Sequence, residues 1–130
     1  MDGSSLRCGI DNVEIARVER LLLGATLEEL LRVFSKEELC DAGEGPGRAA
    51  SLAARFAAKE ACLKLFPREA ALGLIGLADF AVARDGYGAP RVVCSRKALE
   101  LIAQYRLKAI AVSLTHDKTR ASASVVAEPA

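Results

Sequence analysis

The chain opens on a two-residue hydrophobic period and then changes to a helical one. Leu6, Cys8 and Ile10 alternate with Arg7, Gly9 and Asp11, the pattern of a half-buried strand that ends at a carboxylate. Apolar residues then return at helical spacing, from Val13 or Ile15 through Val18 to Leu21 or Leu22. Glu14, Arg17, Glu19 and Arg20 fill the opposite face, and Gly24 marks the stop. Thr26 with Glu29, and Ser35 with Glu38, each match a capping box, in which a hydroxyl and a carboxylate satisfy orphan backbone donors. They predict short helices over about 27–34 and 36–42, followed by a loop through Gly43, Gly45, Pro46 and Gly47.

From Arg48 or Ser51 to Phe66 the chain has no Gly or Pro and is rich in Ala, Leu, Lys, Arg and Glu, which predicts a helix of about four turns closed by Pro67. Leu52, Phe56 and Leu63 form one stripe of it. Arg55, Lys59, Glu60 and Lys64 read as i,i+4 neighbours on an adjoining face. An irregular or weakly helical connection over 67–77 leads to a strand through Phe80, Val82 and Arg84. A hairpin turn over Asp85 to Pro90 joins it to a partner strand over 91–94. Ser95 offers the N-cap of a helix reaching about Tyr105. Ile110, Val112 and Leu114 then alternate with Ala111, Ser113 and Thr115, and a turn at Asp117 to Thr119, with His116 at its edge, leads into a last strand over 120–127. With no internal repeat or low-complexity tract, the pattern is that of one α+β domain, an antiparallel sheet packed on one long helix.

Composition narrows the functional classes. At 130 residues the chain is long enough to bury about two thirds of its unfolded surface without metal or disulfide staples. Its 52% hydrophobic content excludes disorder. A net charge of +1 removes any global argument for binding nucleic acid or a membrane surface, so an anion site must be local. The core is short of bulk, with no Trp, one Met, four Phe and two Tyr, and its small side chains should bring backbones close together. Cys8, Cys40, Cys62 and Cys94 lie far apart with no histidine at ligand spacing, which argues against zinc and leaves disulfides open. Residues 1–5 read as a leader or cloning remnant and 6–130 as the domain. The chain shows no secretion signal or membrane-spanning run, and the cytoplasm is the expected location.

Three places concentrate reactive groups: Asp11, the Arg55 to Lys64 stretch of the long helix, and His116. Each has an ordinary explanation. Asp11 can cap the next helix, Glu60 and Lys64 can be a solvated pair worth only ~0.3–0.5 kcal/mol, and His116 can be a surface residue. Together they suggest more, because two carboxylates suit a hard cation and the helix cations suit phosphate, the division of labour of a magnesium–phosphate site.

The residues also carry a resemblance. Gly9-Ile10-Asp11-Asn12-Val13-Glu14-Ile15, then Arg55-Phe56-Ala57-Ala58-Lys59-Glu60-Ala61 with Lys64, then Gly88-Ala89-Pro90, then Val112-Ser113-Leu114-Thr115-His116 stand in order from about Cys8 to Val126. They strongly resemble the 4'-phosphopantetheinyl transferases of the small holo-acyl-carrier-protein synthase type. The resemblance implies the trimeric fold of that family, with active sites between subunits. It also implies transfer of 4'-phosphopantetheine from coenzyme A to a serine of an acyl carrier protein, leaving adenosine 3',5'-bisphosphate. By the same resemblance Asp11 and Glu60 are magnesium ligands, Lys64 and Lys59 neutralise phosphates, His116 sits near the coenzyme A phosphates, and Arg55, Gly88 and Pro90 border the cofactor. Glu60, Lys64 and His116 are the catalytic candidates. The base that takes the serine proton is left open between a glutamate beside the metal, a metal-bound water and His116.

The family's carrier protein is an acidic partner. Arg17 and Arg20, three apart on the first helix, are placed to meet it, the alternative being local pairing with Glu14 and Glu19. Two departures stand out: Pro67 to Gly73 replaces a Gly-Thr-Gly stretch common after Phe66, and Asn12 puts a polar group beside the metal-binding carboxylate. A second reading is a non-catalytic trimeric module that binds carrier protein or coenzyme A within a larger fatty-acid or polyketide synthase. The intact carboxylates, lysine and histidine argue against it.

Overall fold

In the computed structural model, which describes residues 5–130, one helix organises everything else. The proposed leader, apart from Ser5, lies outside the described residues. Strand β1 (Arg7–Glu14) leads into helix α1 (Ile15–Gly24), then α2 (Leu27–Leu30), α3 (Lys36–Ala42) and the long α4 (Arg48–Leu63). Both capping boxes form as expected, Thr26 with Glu29 and Ser35 with Glu38, although α2 stops at Leu30 where a longer helix was expected. After the short α5 (Arg68–Ala71) and a single 3₁₀ turn come β2 (Phe80–Arg84), β3 (Pro90–Cys94), α6 (Arg96–Gln104), β4 (Leu107–His116) and β5 (Arg120–Pro129). His116 is therefore the last residue of β4 rather than a turn residue.

Three strands form an antiparallel sheet in the order β1-β5-β4, and β2 and β3 pair separately as an antiparallel hairpin. The expected α+β arrangement, an antiparallel sheet on one long helix, is what the chain adopts. Ala53, Ala57, Ala58 and Ala61 of α4 are fully buried against the sheet, whose inward residues Ala121, Ala123, Val125 and Ala127 are buried too. Small side chains on both surfaces draw the two backbones together. Gly9 marks the closest approach, where a Cβ would overlap the Ala61 carbonyl. Bulk is supplied at the margins by two groups, Phe34 with Phe56 and Phe66 with Phe80, each with ring centroids 6.4 Å apart.

The alternation in β1 is real, but the side that faces the core is the less apolar one. Gly9, Asp11 and Val13 turn toward α4, while Cys8 and Ile10 face outward. Ile10 is 67% exposed. The close approach at Ala61 admits only a glycine, and a one-residue step along a strand exchanges every side chain between faces. The strand also continues past Asp11 to Glu14, because β5 pairs with it that far, Glu14 opposite Arg120. Asn12 accordingly lies on the opposite face from Asp11, bonded to Ser122 Oγ at 3.0 Å, and is not beside the carboxylate site.

Candidate active site

Asp11 reaches the inner face in mid-strand, and Glu60 and Lys64 stand one turn apart at the C-terminal end of α4. The structure brings these three together. The Lys64 Nζ donates to Asp11 Oδ1 at 2.9 Å and to the Ile10 carbonyl at 2.9 Å, bracing helix end against strand. Burial above all, then a hydrogen bond to Asp11 and its like charge, hold the Glu60 carboxyl above the usual carboxylate range. Arg17 and Lys64 oppose that rise.

A second cluster gathers toward the other end of α4. Arg55, Ser51 and Gly47 line a cavity of about 320 Å³ whose remaining walls include Val82, Arg84, Pro90, Thr115 and His116. Arg55 is 2% exposed and donates through one terminal nitrogen to Ser51 Oγ at 3.0 Å. Its Nε is buried without a hydrogen-bond partner among the described residues. Burial pushes the guanidinium pKa down, and Arg84 adds to that effect while Glu38 and Asp41 oppose it. With Arg55 and Arg84 in its lining, the cavity has a cationic wall suited to an anion.

Two of the expected cofactor residues are placed differently. Lys59 does not reach the surface: its Nζ donates to Glu38 Oε1 at 2.6 Å and to the Phe80 carbonyl at 2.7 Å, with both charged side chains fully enclosed. Its helical position turns it to the interior, away from any phosphate. Gly88 stands in the hairpin turn at φ 82°, where it sets the turn that delivers Pro90 to the cavity wall. Arg84 and Arg68 were not singled out from the sequence. The former could have been, since it ends the alternation Phe80, Val82, Arg84 next to the turn. Arg68 joins Glu60, Lys64, Leu63, Phe66 and Leu72 around a second cavity of about 680 Å³ beside the carboxylates, so the altered segment after Phe66 does border the site.

Arg17 lies 5.1 Å from the Phe56 ring centroid, and with Arg20 it rims an apolar groove floored by Val18, Leu21, Val33 and Leu77. No ion pair with Glu14 or Glu19 forms among the described residues.

This arrangement has known counterparts. The family model described as the 4'-phosphopantetheinyl transferase superfamily matches residues 7–123. The chain belongs to that superfamily, and within it is an enzyme of the holo-[acyl-carrier-protein] synthase type. The holo-[acyl-carrier-protein] synthase of Treponema denticola is 43% identical over 126 residues, covering 95% of this chain and 98% of that protein. That of Moorella thermoacetica is 39% identical, covering 95% and 94%. Among solved structures, Helicobacter pylori holo-[acyl-carrier-protein] synthase in complex with coenzyme A superposes with a TM-score of 0.75 at 26% identity, covering 93% of this chain and 99% of that one. Mycobacterium tuberculosis acyl carrier protein synthase gives 0.70 at 31% identity, covering 95% and 97%. The resemblance carried by the four sequence motifs is thereby met.

Proposed function

We propose that this chain transfers the 4'-phosphopantetheine arm of coenzyme A to a serine of an acyl carrier protein. A serine oxygen–phosphorus bond forms as the pyrophosphate linkage breaks, releasing adenosine 3',5'-bisphosphate. The observation that carries this reading is the meeting of Asp11, Glu60 and Lys64 on one inner surface beside an open cavity. Phosphoryl transfer asks chiefly for positioning and charge neutralisation, and these groups supply both.

The residues fit magnesium. Asp11 and Glu60 are hard oxygen donors brought to one inner surface, and a divalent cation would offset the effects of burial first, and of Asp11 second, that hold the Glu60 carboxyl above its usual range. Bound there, magnesium supplies neutralisation of the pyrophosphate charge. The Lys64 ammonium, half exposed, is free to turn from Asp11 to a phosphate oxygen. Arg55, Arg84 and His116, which line the first cavity, receive a further phosphate of the donor. Glu60 and His116 are the side-chain candidates for taking the serine proton.

Glu60 and His116 line different cavities within one chain. We read the complete site as shared between copies in a homotrimer. The outer face of the β1-β5-β4 sheet supports this, since its middle, formed by Cys8, Ile10, Ala111, Ser113, Ser124 and Val126, is uncharged, with Glu14, Arg120 and Glu128 at its ends. Arg17 and Arg20, at the rim of an apolar groove and without an ion pair among the described residues, suit an acidic carrier protein. No helix among the described residues is long and apolar enough to cross a membrane.

Incubation with coenzyme A, magnesium and a panel of apo carrier proteins tests the reading. A mass gain of one phosphopantetheine arm on a carrier serine is expected, and no gain on any carrier rejects the transfer. Light scattering should return a trimer, and an active monomer would reject the shared site.

A further inference from the structure

The ion pair of Glu38 and Lys59 lies outside both cavities, yet its bonds reach the wall of one of them. Glu38 Oε1 accepts from Lys59 Nζ at 2.6 Å and from the Ser35 N–H at 2.9 Å, and its Oε2 accepts from the Val82 N–H at 2.9 Å. Lys59 Nζ in turn donates to the Phe80 carbonyl at 2.7 Å. One carboxylate and one ammonium thus take up an N–H and a C=O two residues apart on β2, as a neighbouring strand would. The opposite edge of β2 pairs only with β3. A lone two-stranded hairpin is marginal in water, and this one is tied to the rest of the molecule at that edge.

The hairpin carries Val82, Arg84 and Pro90 into the cavity, facing Arg55 and His116. Lys59 stands one turn beyond Arg55 on α4. The pair therefore ties the helix wall of the cavity to its hairpin wall. An apolar pair of similar volume can fill the same space without the cost of enclosing two charges. An apolar pair lacks the directional bonds to Phe80 and Val82 that determine where the hairpin sits along the helix.

We propose that Glu38 and Lys59 are positioning residues for the donor substrate: their ion pair locks the β2–β3 hairpin against α4 so that Arg84 and Pro90 face Arg55 and His116, and this placement sets the affinity for coenzyme A. The proposal rests on the transferase reading above.

The test compares the whole protein with Glu38→Leu/Lys59→Met, which removes both charges, and with Glu38→Gln. Calorimetry reads coenzyme A binding, and steady-state kinetics read the two substrates separately. The paired variant leaves the Ser35 and Val82 N–H groups and the Phe80 carbonyl without these partners and should melt below the parent temperature, while its coenzyme A Kd and KM rise about tenfold, as expected when contacts are displaced rather than removed. The carrier-protein KM should stay within about twofold and kcat within about threefold. Hydrogen exchange should accelerate at Val82 and Arg84 and not along α4. An unchanged coenzyme A Kd in the folded paired variant overturns the proposal, and so do equal losses for both substrates. If the paired variant does not fold, the same split in Glu38→Gln decides the matter. If the parent binds coenzyme A but modifies no carrier protein, the transferase reading fails and the binding measurements still decide the role of the pair.

Discussion

Two lysines stand on α4, five residues apart, and each meets a carboxylate. Lys59 and Glu38 bond at 2.6 Å with both side chains fully enclosed, whereas Lys64 and Asp11 bond at 2.9 Å with side chains 54% and 17% exposed. The enclosed ammonium divides its hydrogen bonds between Glu38 and the Phe80 carbonyl and has no path to a ligand. Burial pushes its pKa down, and the charge and hydrogen bond of Glu38 push it back. The other ammonium rests on a carboxylate at a cavity mouth, where solvent weakens the pair enough for it to be exchanged for another anion. The same two chemical groups thus make a joint in one place and an exchangeable surface pair in the other. Depth beneath the surface is what separates them.

The sharpest way to break this contrast is to neutralise the exposed carboxylates. Asp11→Asn and Glu60→Gln should each lower transfer roughly a thousandfold or more, since a metal's share of transition-state stabilisation is several kcal/mol. Melting temperature should hold, and for Glu60→Gln it should rise, because a like charge is removed from a partly buried site. Near-normal turnover at low magnesium would take that residue out of the ligand set.

Alanine at each lysine sharpens the comparison directly. Lys59→Ala strands a buried carboxylate and should cost about 3–5 kcal/mol by denaturant unfolding. Lys64→Ala should cost no more than about 1 kcal/mol in the same measurement. Its transfer rate should nevertheless fall about a hundredfold or more, the scale of losing one charged group that meets developing negative charge. Equal stability losses in the two variants would erase the distinction.

Gly9→Ala tests whether the candidate site depends on close backbone approach. The added methyl meets the Ala61 carbonyl and should shift β1, at about 1–3 kcal/mol in stability. Activity should fall by up to about a hundredfold as Asp11 moves relative to Glu60. The smallest effect belongs to the rim. Arg17→Glu with Arg20→Glu should raise the carrier-protein KM severalfold, lower its salt sensitivity and leave coenzyme A affinity nearly unchanged. Losses shared by both substrates would move the docking surface elsewhere, to Arg32 and Lys36.

Much of the fold could be read because its signals are local. The two capping boxes, the Gly- and Pro-free run of α4, the Ser95 cap and the turn between β2 and β3 each involve residues within a few positions of one another. Asp11, Glu60 and Lys64 could be named from the resemblance that their motifs carry, and the α4 pair falls on one face by helical period alone. The expected position of Lys59 failed for the opposite reason. A helical wheel puts it near Glu60 and Lys64, but its partners come from α3 and β2, each 21 residues away in the chain.

The sequence by itself determined where the elements begin and end to within a few residues, which of them are helical, and which carboxylates and cations lie on the same helix face. All of these depend on short-range sterics, capping and side-chain type. Only the tertiary structure decided which face of β1 turns inward, that one lysine is sealed and its neighbour exposed, and that Arg84 and His116 share a cavity with Arg55. Those outcomes depend on how closely distant backbones pack. At Gly9 and Ala61 the distance is set by the absence of a single methyl group, and no periodicity in the chain records it.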